Sequence, residues 1–263
     1  MTKIYFATPI AKPAIDCFRR HAHEATNVLV SFAFRKQVDG YINDLPNATF
    51  MLDSGAYTAW SCGQSIDLYE LMEYARNPRW HEVVALDVIG DAEASVRNAD
   101  IMRANGLTVM PVYHIGDPIE HLQHYKAHFP KVGLSCRFGE PKRDSLRFLD
   151  KAFTEAWPYC FHSFGWISDS VLRRYPFDSA DASTWVNPHR FGAVKAAGDS
   201  MSGGTRGPSF RLNRQVSSHI DLWMVVQRYK ALERSLTSQW RRELAKVRHS
   251  SASKCAAQPN DLT

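Results

Sequence analysis

Short apolar, β-branched or aromatic runs, bounded by turn residues or amphipathic stretches, recur along the 263-residue chain. They cover Lys3 to Ala7, Asn27 to Phe32, Thr49 to Leu52, Val83 to Leu86, Leu107 to Tyr113, Lys131 to Ser135, Tyr159 to Phe164, and Phe177 to Ala180. Between them lie stretches with helical periodicity, such as Ile66 to Arg76, Ala92 to Asn105 and Asp144 to Ala156. Regular alternation of the two patterns implies parallel strands joined by crossover helices. Eight such units predict an α/β fold, a closed (β/α)₈ TIM-type barrel. An open doubly wound sheet is the alternative, but no G-x-G-x-x-G follows any strand, which removes its usual dinucleotide signature.

The barrel is expected to occupy residues 1–192, within the size range of a single domain. A Gly-rich connector follows, Gly198 to Gly207 (GDSMSGGTRG), and then an amphipathic helix from about Ser217 to Arg248. Its apolar stripe is read as Ile220, Met224, Leu232, Leu236, Trp240 and Leu244, packing on the barrel or on a second subunit, so a homodimer is open. The last fifteen residues, HSSASKCAAQPNDLT, are expected to be disordered. No apolar run approaches the ~20 residues of a membrane span, and the N-terminus lacks a signal-peptide layout, so the expected location is the cytoplasm. Five cysteines without C-x-x-C spacing suggest neither a disulfide framework nor a structural zinc site.

In a parallel barrel the chemistry collects at the C-terminal strand ends, so the residues following each strand are the informative ones. Strand three runs into Asp53-Ser54-Gly55-Ala56-Tyr57, strand four into Asp87, and strand five into His114-Ile115-Gly116-Asp117. Strand six runs into Ser135-Cys136-Arg137-Phe138-Gly139-Glu140, strand seven into Gly165-Trp166, and strand eight into Asp181-Ala182-Ser183-Thr184-Trp185. Three carboxylates, one imidazole and two tryptophans are thus expected at one mouth. Each has a bland explanation taken singly: Asp53 as a turn or cap residue, His114 as a barrel histidine, Trp166 and Trp185 as core. Their coincidence after successive strands favours an active site.

The segment Asp53-Ser54-Gly55-Ala56-Tyr57 resembles the D-S-G-G-F-Q motif of queuine and archaeosine tRNA-guanine transglycosylases. Ala85 to Asp87, Val132 to Glu140 and Phe177 to Trp185 resemble later segments of that family in the same order. The closing FDSADASTWVNPHRFG looks most like the phage and bacterial branch that inserts 7-deazaguanines into DNA, through Asp181, Ser183, Thr184, Trp185 and Arg190-Phe191-Gly192. The match is at the level of motifs, within residues 49 to 192. Ala56 replaces the second glycine of the motif and Thr58 its glutamine, so base contacts differ in detail. The family's zinc module, C-x-C-x-x-C with a later His, is absent, which implies no metal cofactor and weakens tRNA as the substrate.

The resemblance implies double displacement. Asp181 attacks the anomeric carbon, and a free 7-deazaguanine base then displaces it; Asp53 is the general acid/base. Asp87 reads the base, Ser54, Gly55, His114, Gly165 and the Gly133-to-Gly139 turn with Ser135 line its pocket, Tyr57 or Trp166 stacks on it, and Trp185 is a further substrate-binding candidate. Asp178 is the rival nucleophile, because Phe177-Asp178-Ser179-Ala180 matches the archaeosine branch's F-D-S-A. Trp185 and Arg190-Phe191-Gly192 favour Asp181.

Charge adds one element to this picture. Residues 190 to 248 hold 12 Lys and Arg against four Asp and Glu, whereas residues 1 to 189 hold 19 against 22. Such a skew suits a polyanion, and Arg190, Arg206, Arg211 and Arg214 are candidates to hold DNA phosphates. The alternatives are the same chemistry on tRNA, a barrel glycoside hydrolase or N-glycosylase using Asp53 and Asp181, and a silent nucleic-acid-binding barrel. The presentation of DNA by a partner protein is open.

Overall fold

The computed structural model describes residues 2–7, 9–136, 140–186, 193–194, 210–211 and 222–256, with side chains in the last segment described to 245. Eight strands form one parallel sheet: β1 (Lys3–Ala7), β2 (Thr26–Ser31), β3 (Ala48–Asp53), β4 (Trp80–Val83), β5 (Val112–His114), β6 (Val132–Ser135), β7 (Phe161–Phe164) and β8 (Ser179–Ala182). Their order is β4-β3-β2-β1-β8-β7-β6-β5. A parallel bridge between Val84 and Met110 joins the two outer strands, with Met110 N–H donating to Val83 and Ala85 N–H to Met110. The sheet is therefore closed, and the fold is a TIM-type (β/α)₈ barrel.

Crossovers carry helices α1 (Lys12–Arg20), α2 (Arg35–Asp39), α3 (Ala56–Ser61), α4 (Leu68–Ala75), α5 (Ala92–Ala104), α6 (Ile119–His128), α7 (Lys142–Ala156) and α8 (Asp169–Arg174). Asp67, Asp91 and Ser168 cap α4, α5 and α8 by accepting backbone N–H groups of the first turn. Alternation along the strands splits the core in two. Ile4, Phe6, Val28, Val30, Phe50 and Leu52 face the helices, whereas Tyr5, Leu29, Met51, Val84, Met110 and Val112 fill the barrel interior.

Three boundaries differ from the sequence expectation. β4 begins at Trp80 rather than Val83, because Glu82 points inward, where it accepts from Tyr5 Oη (3.0 Å) and Lys131 Nζ (2.7 Å). β5 is short: Pro111 offers no N–H, so only its carbonyl joins the ladder, accepting from Gly133. β8 is displaced to Ser179–Ala182, which puts Asp181 inside the strand, facing the interior like Ser179.

The C-terminal helix, α9, spans Leu222–Ala256 and so extends into the tail expected to be disordered. Its buried side is Leu222, Trp223, Val226, Tyr229, Leu232 and Leu236, while Met224 and Leu244, assigned to the stripe, are exposed. This face packs on the barrel, against β1, α1 and α8. Glu233 inserts where β1 and β2 are not yet paired: its Oε2 accepts from the Ile4 N–H (2.7 Å) and from Asn27 Nδ2 (3.2 Å). The connector, residues 198–207, lies outside the described residues, as does the tail beyond 256. Two-residue strands β9 (Ala193–Val194) and β10 (Phe210–Arg211) form a separate antiparallel pair.

Candidate active site

The C-terminal strand ends bring Asp53, Asp87, His114 and Asp181 to one mouth, each from a different strand. Asp53 ends β3 and is fixed by the turn that follows. Gly55 adopts φ +79°, which lets its N–H return to Asp53 Oδ2 at 3.0 Å. A Cβ at that glycine would lie 2.7 Å from Ala33 N and 2.8 Å from Ser31 Oγ, so both the conformation and the space require glycine.

Asp87 is held from both sides. Ser54 Oγ donates to its Oδ1 at 3.1 Å, and His114 Nε2 lies 2.9 Å from its Oδ2. His114 is oriented in turn by Asp117, whose Oδ2 accepts its backbone N–H at 2.9 Å. Ser54 is buried and spends its hydroxyl on Asp87, so it organises the site rather than lining a base pocket.

Asp181 is buried, and its Oδ1 accepts the Gly165 N–H at 2.7 Å. Gly165 stands at φ +70°, the left-handed geometry that turns this N–H toward β8. The hydrogen bond from Gly165 falls on Oδ1 and does not engage Oδ2.

The electrostatics of the mouth act on Asp53. Burial raises the pKa of Asp53 from its ordinary 3.8 to about 7; the nearby Asp87 adds to the rise, the Gly55 N–H opposes it, and Asp181 contributes further. Asp53 is thus poised to carry a proton near neutrality. Burial also pushes the Cys136 thiol up to about 12, which removes it as a nucleophile despite its position after β6.

Other expected residues fall elsewhere. Asp178 precedes β8 at the opposite end of the barrel, paired with Lys131 at 2.8 Å, so it does not reach the mouth. Trp185 is fully buried against Phe6 and Phe18, with its indole N–H donating to the Ala7 carbonyl at 3.1 Å. It anchors the end of β8 to β1 and does not stack on a ligand. Ser135 ends β6 and Trp166 follows β7, both half-buried, and the Trp166 carbonyl accepts from Ser163 Oγ. Tyr57 stands on the rim, 57% exposed, with Trp60 beside it at a ring separation of 6.0 Å. Sequence reasoning passed over Trp60, whose one-turn spacing from Tyr57 on a short helix was the available signal. Arg190, Arg206 and Arg214 lie outside the described residues, and of Arg211 only the backbone in β10 is described.

Sequence reasoning also missed His162, Ser179 and Lys131, polar residues buried inside the barrel below Asp181. Their signal was alternation: each falls in an inward register position, His162 on β7, Ser179 on β8 and Lys131 immediately before β6. Among the described residues no group of three or more His, Cys, Asp or Glu is arranged to hold a metal ion, and no helix is long and apolar enough to cross a membrane.

No family model matches the sequence, and no curated protein matches it. Among solved structures, a chain of the tryptophan synthase α2β2 complex from the hyperthermophile Pyrococcus furiosus is similar, with a TM-score of 0.43 and 10% identity. The similarity covers 70% of this chain and 87% of that one.

Proposed function

We propose that this protein is a base-exchanging transglycosylase that replaces guanine in DNA with a free 7-deazaguanine base. The observation that carries the reading is the division of roles between two carboxyls at one mouth, the half-buried Asp53 and the buried Asp181. Asp53 is biased toward its protonated form, and Asp181 offers one oxygen held by Gly165 and one that this bond does not engage.

In the first displacement Asp181 Oδ2 forms a bond to C1′ of the deoxyribose as the C1′–N9 bond breaks. The bonding pair leaves with guanine, and Asp53 supplies the proton that neutralises it. In the second, N9 of the incoming base bonds to C1′, the C1′–Oδ2 pair returns to Asp181, and the Asp53 carboxylate takes the N9 proton. Both residues end as they began. Asp87, pinned between Ser54 and His114, presents a fixed acceptor for the base's amino and N1 protons. The Tyr57 and Trp60 pair on the rim offers a stacking surface for a flipped or neighbouring base. The closing segment FDSADASTWVNPHRFG supports DNA as the polymer, and the basic C-terminal quarter supports a polyanion in general.

Purified protein, incubated with guanine-labelled DNA or tRNA and a free 7-deazaguanine, tests this. Label released from DNA only when the free base is present, with equal incorporation of that base, is the expected result. Release without incorporation identifies a hydrolase, and exchange into tRNA alone moves the polymer assignment.

A further inference from the structure

A chain of polar groups runs through the barrel interior from its floor to Asp181, and the hydrogen-bonding capacity of its members fixes where each proton lies. Lys131, immediately before β6, is buried among three acceptors: Ser179 Oγ at 2.6 Å, Glu82 Oε2 at 2.7 Å and Asp178 Oδ2 at 2.8 Å. An ammonium group only donates, so the Ser179 oxygen accepts from it, and the Ser179 proton must go to another partner. That partner is Nδ1 of His162, 2.7 Å away. An uncharged imidazole that accepts at Nδ1 carries its hydrogen on Nε2.

The Nε2 group is fully buried, has no partner at hydrogen-bonding distance among the described residues, and faces Asp181 Oδ1 at 3.7 Å. Burial lowers the His162 pKa against the opposing pull of Asp181, which favours the neutral ring to which the tautomer argument applies. The groups around the ring come from five strands: Ser179 and Asp181 on β8, Lys131 beside β6, Glu82 on β4, Tyr5 on β1, and Phe164 on its own strand at a ring separation of 4.4 Å. An unpaired donor in such surroundings is costly unless a partner closes on it at some stage.

We propose that His162 is a positioning residue for Asp181. The Lys131–Ser179 pair holds it as the Nε2–H tautomer, and this N–H, together with Gly165, commits Oδ1 so that Oδ2 faces C1′. The 3.7 Å gap shortens to a hydrogen bond when the nucleotide seats against Oδ2, since catalytic hydrogen bonds commonly tighten only when the reacting groups are in place. The inference rests on Asp181 being the nucleophile.

Two measurements test it separately. In ¹⁵N-histidine-labelled protein, with His162 assigned by its loss in His162→Gln, the expected signature is a protonated Nε2 and a bare Nδ1 at about pH 7 to 8, with the tautomer mixture shifted in Ser179→Ala. A wild-type ring protonated at Nδ1, or at both nitrogens, overturns the relay whatever reaction the protein performs.

For base exchange, His162→Phe keeps ring volume without the donor and is expected to lower kcat about 10- to 100-fold, with KM within about threefold. His162→Gln, which retains an N–H, recovers at least about tenfold of that loss. Equal losses in the two variants contradict a positioning role. A wild-type protein that exchanges no base sinks the proposed function and leaves the tautomer result to decide the relay.

Discussion

Asp178 and Asp181 sit three residues apart yet serve opposite ends of the barrel: Asp178 pairs with Lys131 at the floor, and Asp181 accepts the Gly165 N–H at the mouth. The two nucleophile candidates are thereby distinguished by position, since substrates enter a parallel barrel at its C-terminal face. Asp178→Asn weakens a partly exposed ion pair whose lysine keeps Glu82, and is expected to cost about 1–2 kcal/mol of stability. It should still form a covalent DNA adduct, visible as a band shift in denaturing gels. An Asp178→Asn protein that folds but forms no adduct would move the nucleophile to the other carboxylate.

Asp53 gives a pH prediction with a definite sign. Folded Asp53 keeps its proton up to about pH 7, whereas the unfolded side chain loses it near 3.8. The folded state therefore binds more protons across that window, so stability falls as pH rises through it and then levels off. At about 1.4 kcal/mol per pH unit the ceiling is roughly 4 kcal/mol. Asp53→Asn removes the penalty: thermal melts at about pH 8 should rise while exchange is lost. In the wild type, kcat/KM for DNA should decline above about pH 7 and kcat/KM for the free base should decline below it, because the two displacements need opposite protonation states.

Gly133 and Phe164 form a tight fit inside the barrel. A Cβ on Gly133 would lie 2.2 Å from the Phe164 ring, which leans across β6 toward the interior cluster. Gly133→Ala is expected to cost about 1–3 kcal/mol as overpacking. In a Phe164→Ala background the same change should cost much less, and a double-mutant cycle by chemical denaturation reads that coupling.

Glu233 closes the gap between β1 and β2 from outside. Burial raises its pKa, and the Ile4 N–H opposes the rise. Glu233→Ala strands that N–H and should lower stability by about 1–3 kcal/mol, with faster hydrogen exchange at Ile4. Glu233→Gln keeps an acceptor in place and should be the milder change.

Much of this architecture was legible in the chain. The apolar runs at β1, β2 and β3 are near-continuous because both faces of a barrel strand are buried, and that pattern survives in sequence. The shifts at β4 and β8 share one cause: their inward positions are Glu82, Ser179 and Asp181, polar residues satisfied by the interior network, which break an apolar run without ending the strand. The grouping of Asp53, Asp87, His114 and Asp181 followed from topology alone. The roles of Ser54 and Trp185 did not, because they depend on which partner each side chain reaches: Asp87 for one, the Ala7 carbonyl for the other. The α9 stripe was misplaced toward Met224 because spacings of four drift from the helical period, whereas the docked face runs Leu222, Val226, Tyr229, Glu233 and Leu236.

The most direct test is nucleoside mass spectrometry of DNA and tRNA from cells supplied with a 7-deazaguanine and expressing either the wild-type protein or Asp181→Asn. The account predicts a modified deoxynucleoside in DNA from the wild type and none from the variant, with the variant protein folded and still bound to DNA. Equal modification in both, or none in either when the base and any partner proteins are present, would contradict it.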